Sequence, residues 1–371
     1  MLDPRIKKLA DNIINYSCAL KKGEKVLIES IGQQDELVNE LVKKAYEAGG
    51  VPYVKLIHPS VERNLLMNCT KEQLALRTKL DKELMSNMQA YVGIRGGDNS
   101  FEYSDVPNEN MRLYQSDYWH TVHGEIRVKK TKWVVMRYPA PSMAQLATKS
   151  TEQFEEFYFN VCNLDYSKMD KAMDPLKVLM NKTDKVRLVA KDTDITFSIK
   201  GIGAVKCSGE KNLPDGEIYS APVRDSVNGR ITFNTPSLNE GFTFENVSLL
   251  FKDGKIIDAT CNDTERINKI FDTDEGSRYV GEFAIGVNPF INAPMKDILF
   301  DEKIAGSIHF TPGACYDDAY NGNKSAVHWD FVLIQTPEYG GGEIYFDDVL
   351  IRKDGKFVLK ELEGLNPENL K

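Results

Sequence analysis

Residues 25–57 read KVLIESIGQQDELVNELVKKAYEAGGVPYVKLI, and the periodicity changes twice along them. The run from Lys25 to Ile28 is strand-like. From Asp35 onward Leu37, Val38, Leu41, Val42 and Ala45 recur at helical spacing, Gly49-Gly50 supplies a stop, and Tyr53 to Ile57 is strand-like again. Strand, amphipathic helix and strand in that order predict a parallel pair joined by a right-handed crossover.

The same rhythm extends outward. Ile6, Leu9, Ile13 and Ile14 mark a first helix, separated from Lys25 by the polar turn Lys21 to Glu24. Thr70-Lys71-Glu72-Gln73 reads as a capping box opening a helix to about Met88, followed by a strand from Ala90 to Ile94. Another strand is expected around Trp133 to Met136. A second capping box, Ser150 to Gln153, opens a helix carrying Phe154, Phe157 and Phe159, and one more helix runs through Met169, Met173, Leu176 and Leu179. These aromatic and Met positions read as core. From about Lys185 the texture changes to short strand-like runs separated by Gly, Asp and Asn turns, among them Val186 to Val189, Ile195 to Ile199 and Val247 to Phe251. The expectation is an α/β N-terminal domain with a parallel sheet over residues 1–184. An α+β, mostly antiparallel C-terminal domain is expected over residues 185–371.

Composition narrows the function. A chain of 371 residues, 42% hydrophobic and 27% charged, is long enough for more than one core. Lys plus Arg is 47 against 55 Asp plus Glu, a net charge of -8, and no basic stretch could track phosphates, so nucleic acid is not an expected partner. The charged start MLDPRIKKLADNII lacks the apolar core of a secretory signal, and no run of about 18 apolar residues occurs, so no membrane is expected and the cytoplasm is. Six scattered cysteines without a CxxC pair read as reduced. Neither Gly201-Ile202-Gly203 nor Gly340-Gly341-Gly342 has the context of a phosphate cradle, so no nucleotide cofactor is expected.

Five histidines occur, and two lie among acids. His328-Trp329-Asp330 sits in an alternating segment, Ala326 to Ile334, in which residues two apart share one face of a strand. His309 falls on a second strand within LFDEKIAGSIHF, residues 299–310. Pro214-Asp215-Gly216-Glu217 delivers a carboxylate at a strand start, although a solvated hairpin would read the same way. Glu282 lies inside the apolar run Gly281 to Gly286, where a carboxylate must find water or a charge partner. Together these segments offer two glutamates, two histidines and an aspartate, a mixed N/O set that suits two Zn, Co or Mn ions about 3.5 to 4 Å apart. Carboxylates are needed because two dications repel strongly in a low-dielectric pocket. His120 and His123, with Tyr118 and Trp119 on a helix, read as packing or surface, His58 as a turn residue, and Asp301 and Glu302 as solvated or salt-bridged.

These four segments, in this order, resemble the metallo-aminopeptidase family of aminopeptidase T, AmpS and PepS. The likeness is densest over residues 212–222, 279–290 and 297–335, with LFDEKIAGSIHF and NKSAVHWD the most specific stretches, and it reaches KKGEKVLIES and GIRGGDN more weakly. The resemblance implies two divalent metal ions held by Glu217, Glu282, His309, His328 and Asp330. It also implies an active-site tyrosine at Tyr316, small peptides with a free N-terminus as substrates, and a homodimer. The expected chemistry is attack of a metal-activated water on the first peptide bond, with Tyr316 donating to the developing oxyanion and a glutamate, Glu217 or Glu282, moving the proton. Phe310-Thr311-Pro312-Gly313 and a short stretch between Tyr316 and His328 depart from the family pattern and bear on pocket shape and substrate preference. A two-metal hydrolase of another ester or amide class and a catalytically silent peptide-binding relative are the alternatives. Phosphoester hydrolysis, the nearest case of the first, normally adds Lys or Arg clamps on the phosphoryl group, and none is conspicuous beside the motifs.

Overall fold

The fold is described from a computed structural model covering residues 3–32, 34–239 and 241–371. The chain divides into two compact units: residues up to Asn163 together with Gly209–Pro214, and Leu164–Ser208 together with Asp215–Lys371.

In the first unit five parallel strands run in the order Val51–Ile57, Lys25–Ile31, Ala90–Arg95, Lys132–Arg137, Asn212–Leu213. The inner strands Lys25–Ile31 and Ala90–Arg95 are buried nearly throughout because helices cover both faces, whereas the edge strand Val51–Ile57 is largely exposed. The helices begin where the capping chemistry places them. Thr70 Oγ1 accepts from Gln73 N and Ser150 Oγ accepts from Gln153 N, each at 3.2 Å. One charge is set into this apolar layer. Glu29 accepts from Arg127 Nη2 at 2.8 Å and from Tyr91 Oη at 2.8 Å. Burial would raise its pKa, but Arg127, Arg95 and Lys55 outweigh burial and bring the carboxyl down to about 2.

The division of units differs from the boundary read at 184/185. Helix Tyr166–Met180 groups with the second unit because its polar side packs there: Lys206 Nζ donates to Asp174 Oδ1 at 2.7 Å, and Asp215 N donates to Tyr166 Oη at 3.0 Å. Residues 209–214 return to the first unit to add its fifth strand, a two-residue pairing too short to leave a periodic signal.

The second unit is a sandwich of two antiparallel sheets. Eight strands are ordered Lys255–Thr260, Ser248–Lys252, Asn228–Thr232, Thr193–Ser198, Lys185–Ala190, Gly342–Phe346, Val349–Lys353, Lys356–Phe357. Five more are ordered Phe331–Ile334, Ser307–Pro312, Val280–Gly286, Glu217–Ser220, Val205–Cys207. Between the sheets Phe197 meets Phe283 at 5.0 Å and Phe310 at 5.2 Å, ring centre to ring centre, and Phe251 meets Phe310 at 5.8 Å. Because side chains alternate along a strand, turning Phe283 and Phe310 into the sandwich turns Glu282 and His309 to the opposite face of the smaller sheet.

Candidate metal centre

That opposite face is built by register. Gly286 pairs with Glu217, Ala284 with both Tyr219 and His309, and Glu282 with Thr311, across a bulge between Val280 and Glu282. All seven residues of Val280–Gly286 are buried. At the bulge the chain after His309 doubles back tightly. A Cβ on Gly281 would sit 2.2 Å from Ala314 O, and one on Gly313, at φ +112°, would sit 2.0 Å from Val327 O. Only glycine allows this closeness. Ala314 N then donates to Val327 O at 2.7 Å, and Asn323 Nδ2 donates to Gly313 O at 2.6 Å and Gly276 O at 2.9 Å. His328 is delivered by this loop. The expected strand from Ala326 begins only at Phe331, and His328 reaches the sheet through an isolated bridge to Gly313.

The five expected ligands come together, with a sixth. Glu217, Glu302 and His309 offer donor atoms all within 4.8 Å of one another, and so do Glu282, His328 and Asp330. His309 joins the groups: its Nδ1 lies 3.5 Å from Glu217 Oε2 and its Nε2 3.2 Å from Glu282 Oε1. His328 Nε2 lies 3.5 Å from both Glu282 Oε2 and Asp330 Oδ1. Thr311 Oγ1 donates to Asp330 Oδ1 at 2.6 Å. Tyr316 packs its ring 4.8 Å from the His328 ring, and the residue as a whole is 49% exposed.

Glu302 is salt-bridged, one of the two readings expected for it, and it also lies among the donor atoms of the site. It is half-buried, belongs to the first group, and accepts from Lys303. Asp301 is buried rather than solvated, accepting from Met295 N at 2.7 Å and Lys296 N at 2.9 Å. Asp215 and Cys207 also offer donor atoms close to Glu217. The remaining histidines stay outside these groups. His58 Nδ1 meets Ser60 Oγ at 2.9 Å, His120 is exposed, and His123 stacks on Trp119 at 4.4 Å.

Electrostatics and open valences both fit a divalent cation. Glu217 Oε2 and His309 Nδ1 are buried, face each other, and have no hydrogen-bond partner among the described residues. Leaving two such atoms unsatisfied is costly, and a cation between them would satisfy both. Burial pushes the Glu217 carboxyl well up, with Lys303 only partly offsetting it. His309 and His328 are raised although burial opposes it, because carboxylates surround them. Asp330 is lowered against burial by His328 and His309. His328 Nδ1 lies 2.8 Å from Ala314 O, a contact that assigns the proton to Nδ1 and turns the Nε2 lone pair toward Glu282 and Asp330.

Carboxylates and imidazoles converging on a buried sheet face make a donor set of hard oxygen and borderline nitrogen atoms suited to divalent cations. The sequence profile of the thermophilic metalloprotease (M29) family matches residues 2–357. The chain belongs to that family, and it is a metal-dependent hydrolase. Among curated relatives it is similar to Aminopeptidase 2 of Geobacillus stearothermophilus, 23% identical over 95% of each chain. Among solved structures it is similar to wild-type AmpT from Thermus thermophilus, with a TM-score of 0.81 at 20% identity, covering 97% of this chain and 100% of that one. A 2,5-dihydroxypyridine dioxygenase from Pseudomonas putida KT2440 shares the fold with a TM-score of 0.61 at 12% identity, over 96% of this chain and 98% of that one. One fold thus carries more than one chemistry, and function is argued from the site.

Proposed function

We propose that the second unit is the catalytic one and that this chain is a metal-dependent aminopeptidase, removing N-terminal residues from small peptides at a centre of two divalent cations. The observation that carries the two-cation reading is the pair of donor groups, Glu217–Glu302–His309 and Glu282–His328–Asp330, linked through His309. One cation would be held by Glu217, Glu302 and His309, the other by Glu282, His328 and Asp330. Zn, Co or Mn suits this donor set.

Bound there, such cations polarise a carbonyl and bring the pKa of water toward neutrality. The protein's own groups do the rest. Ala314 O fixes the His328 tautomer, and Thr311 fixes Asp330. Tyr316, exposed beside His328, donates its phenolic proton in a hydrogen bond to the carbonyl oxygen as negative charge builds there. Of the two expected glutamates, Glu282 carries the proton from the attacking water to the leaving amine, because both oxygens of Glu217 are engaged, Oε1 by Lys303 and Oε2 toward His309. The surrounding carboxylates attract the substrate's free ammonium group, which restricts attack to chain ends.

The family resemblance further supports a homodimer working in the cytoplasm. No helix among the described residues is long and apolar enough to cross a membrane. Hydrolysis of aminoacyl anilides, measured before chelation, after it, and with single cations restored, tests the reading. Loss on chelation and recovery with at least one cation is expected; inactivity with every cation would overturn it.

A further inference from the structure

Lys303 is wholly buried, yet it lies among acids. Its ammonium donates to Glu217 Oε1 at 2.6 Å and to Glu302, and lies 3.8 Å from Asp215 Oδ1. Both carboxylates of the Glu217–Glu302–His309 group therefore already share a permanent cation. The other group differs. Among the described residues no lysine or arginine lies within ion-pairing distance of Glu282 or Asp330, whose charged neighbours are His309 and His328. The two positions thus have similar donors but unequal counter-charge.

We propose that Lys303 makes the two cation positions unequal: it is a resident counter-charge that holds Glu217 and Glu302 in place without metal and weakens the cation that shares them. Glu282–His328–Asp330 then fills first and keeps its ion, while Glu217–Glu302–His309 takes a second ion loosely and exchanges it. Glu217 shows the division of labour. Its Oε1 is taken by Lys303 while its Oε2 stays open toward His309. An ammonium on one oxygen and a dication on the other repel across a few ångströms. With an effective dielectric of about 20 and a separation of about 5 Å, that repulsion far exceeds a hundred-fold in affinity, so a gap of at least about a hundred-fold survives further screening. Lys303 touches no substrate in this account and acts as a positioning residue through the two glutamates.

The inference rests on the two-cation reading, and calorimetric titration of the chelated full-length protein with Co(II) separates the two. Two steps about a hundred-fold apart are expected. Glu282→Gln should remove the tight step and Glu302→Gln the weak one. Lys303→Met should tighten the weak step by about a hundred-fold, closing most of the gap, and leave the tight step in place. The same variant should lower the melting temperature of the metal-free protein and show a larger rise on adding Co(II). Two equal steps in the unaltered protein, or a tight step lost with Glu302→Gln, would overturn the inference while leaving the two-cation reading standing. An unchanged gap in Lys303→Met would do the same. Should Lys303→Met not fold, the unaltered protein and the two glutamine variants still decide. No Co(II) binding at all would remove the two-cation reading and this inference with it.

Discussion

Thr311 is fully buried, and its hydroxyl donates to Asp330 at 2.6 Å. Hydrogen bonds of this kind orient a metal-binding carboxylate, and their loss typically weakens metal affinity by about 10- to 100-fold. Thr311→Val, nearly isosteric, should do so in a calorimetric titration; unchanged affinity would show that Asp330 needs no such support. Tyr316→Phe removes a single donor at the exposed rim of the site. Its kcat should fall by about 100-fold or more with KM little moved, and an unaltered kcat would take Tyr316 out of the reaction. Glu282→Gln and His328→Ala should each abolish turnover while circular dichroism stays native; full activity in either would remove that residue from the centre. The five expected ligands stood out in the sequence because each is a polar group in a segment otherwise apolar or tightly turned, whereas Tyr316 was marked by the family resemblance alone. Glu302 did not stand out. Asp301 and Glu302 read as solvated or salt-bridged, and the four-residue helix Ile298–Asp301 is too short to leave a periodic signal that tells one acid from the other. Asp301 is spent on backbone N–H groups and Glu302 joins the donor set.

Among the elements, the βαβ rhythm of the first unit was readable because buried parallel strands are near-continuous apolar runs and the helices carry real caps. The segment before Phe331 was not. Its alternating pattern suggested a strand, but hydrogen bonds from Asn323 and the contact at Gly313 hold it as a loop. Gly313→Ala should therefore displace His328 as well as strain the backbone, so cation affinity and melting temperature should fall together. Stability lost with affinity kept would show that the loop does not position His328. In the parallel sheet, Arg127→Met would leave Glu29 with Arg95 and Lys55 at 3.5 and 3.7 Å. Breaking one partner of a buried pair costs about 3 kcal/mol or more, to be read by denaturant unfolding; a cost near zero would mean that the other two cations suffice.

For the whole molecule, acid stability and cation binding can be followed separately. Glu29 is depressed from 4.5 to about 2 in the folded protein, so its contribution is fully present above about pH 4.5 and is lost as pH falls toward 2. Acid unfolding should steepen in that window, and in Arg127→Met its midpoint should move to higher pH; an unmoved midpoint would mean that another group controls acid stability. Cation binding acts through the other unit. Saturation at about a thousand times the dissociation constant should stabilise it by about 4 kcal/mol.

On the proposed reading, six side chains from the second unit hold two divalent cations. Anomalous scattering from a crystal soaked with Co(II) measures this directly. Two peaks are predicted, one flanked by Glu217, Glu302 and His309 and the other by Glu282, His328 and Asp330. An empty map at these residues, or peaks only elsewhere, would contradict it.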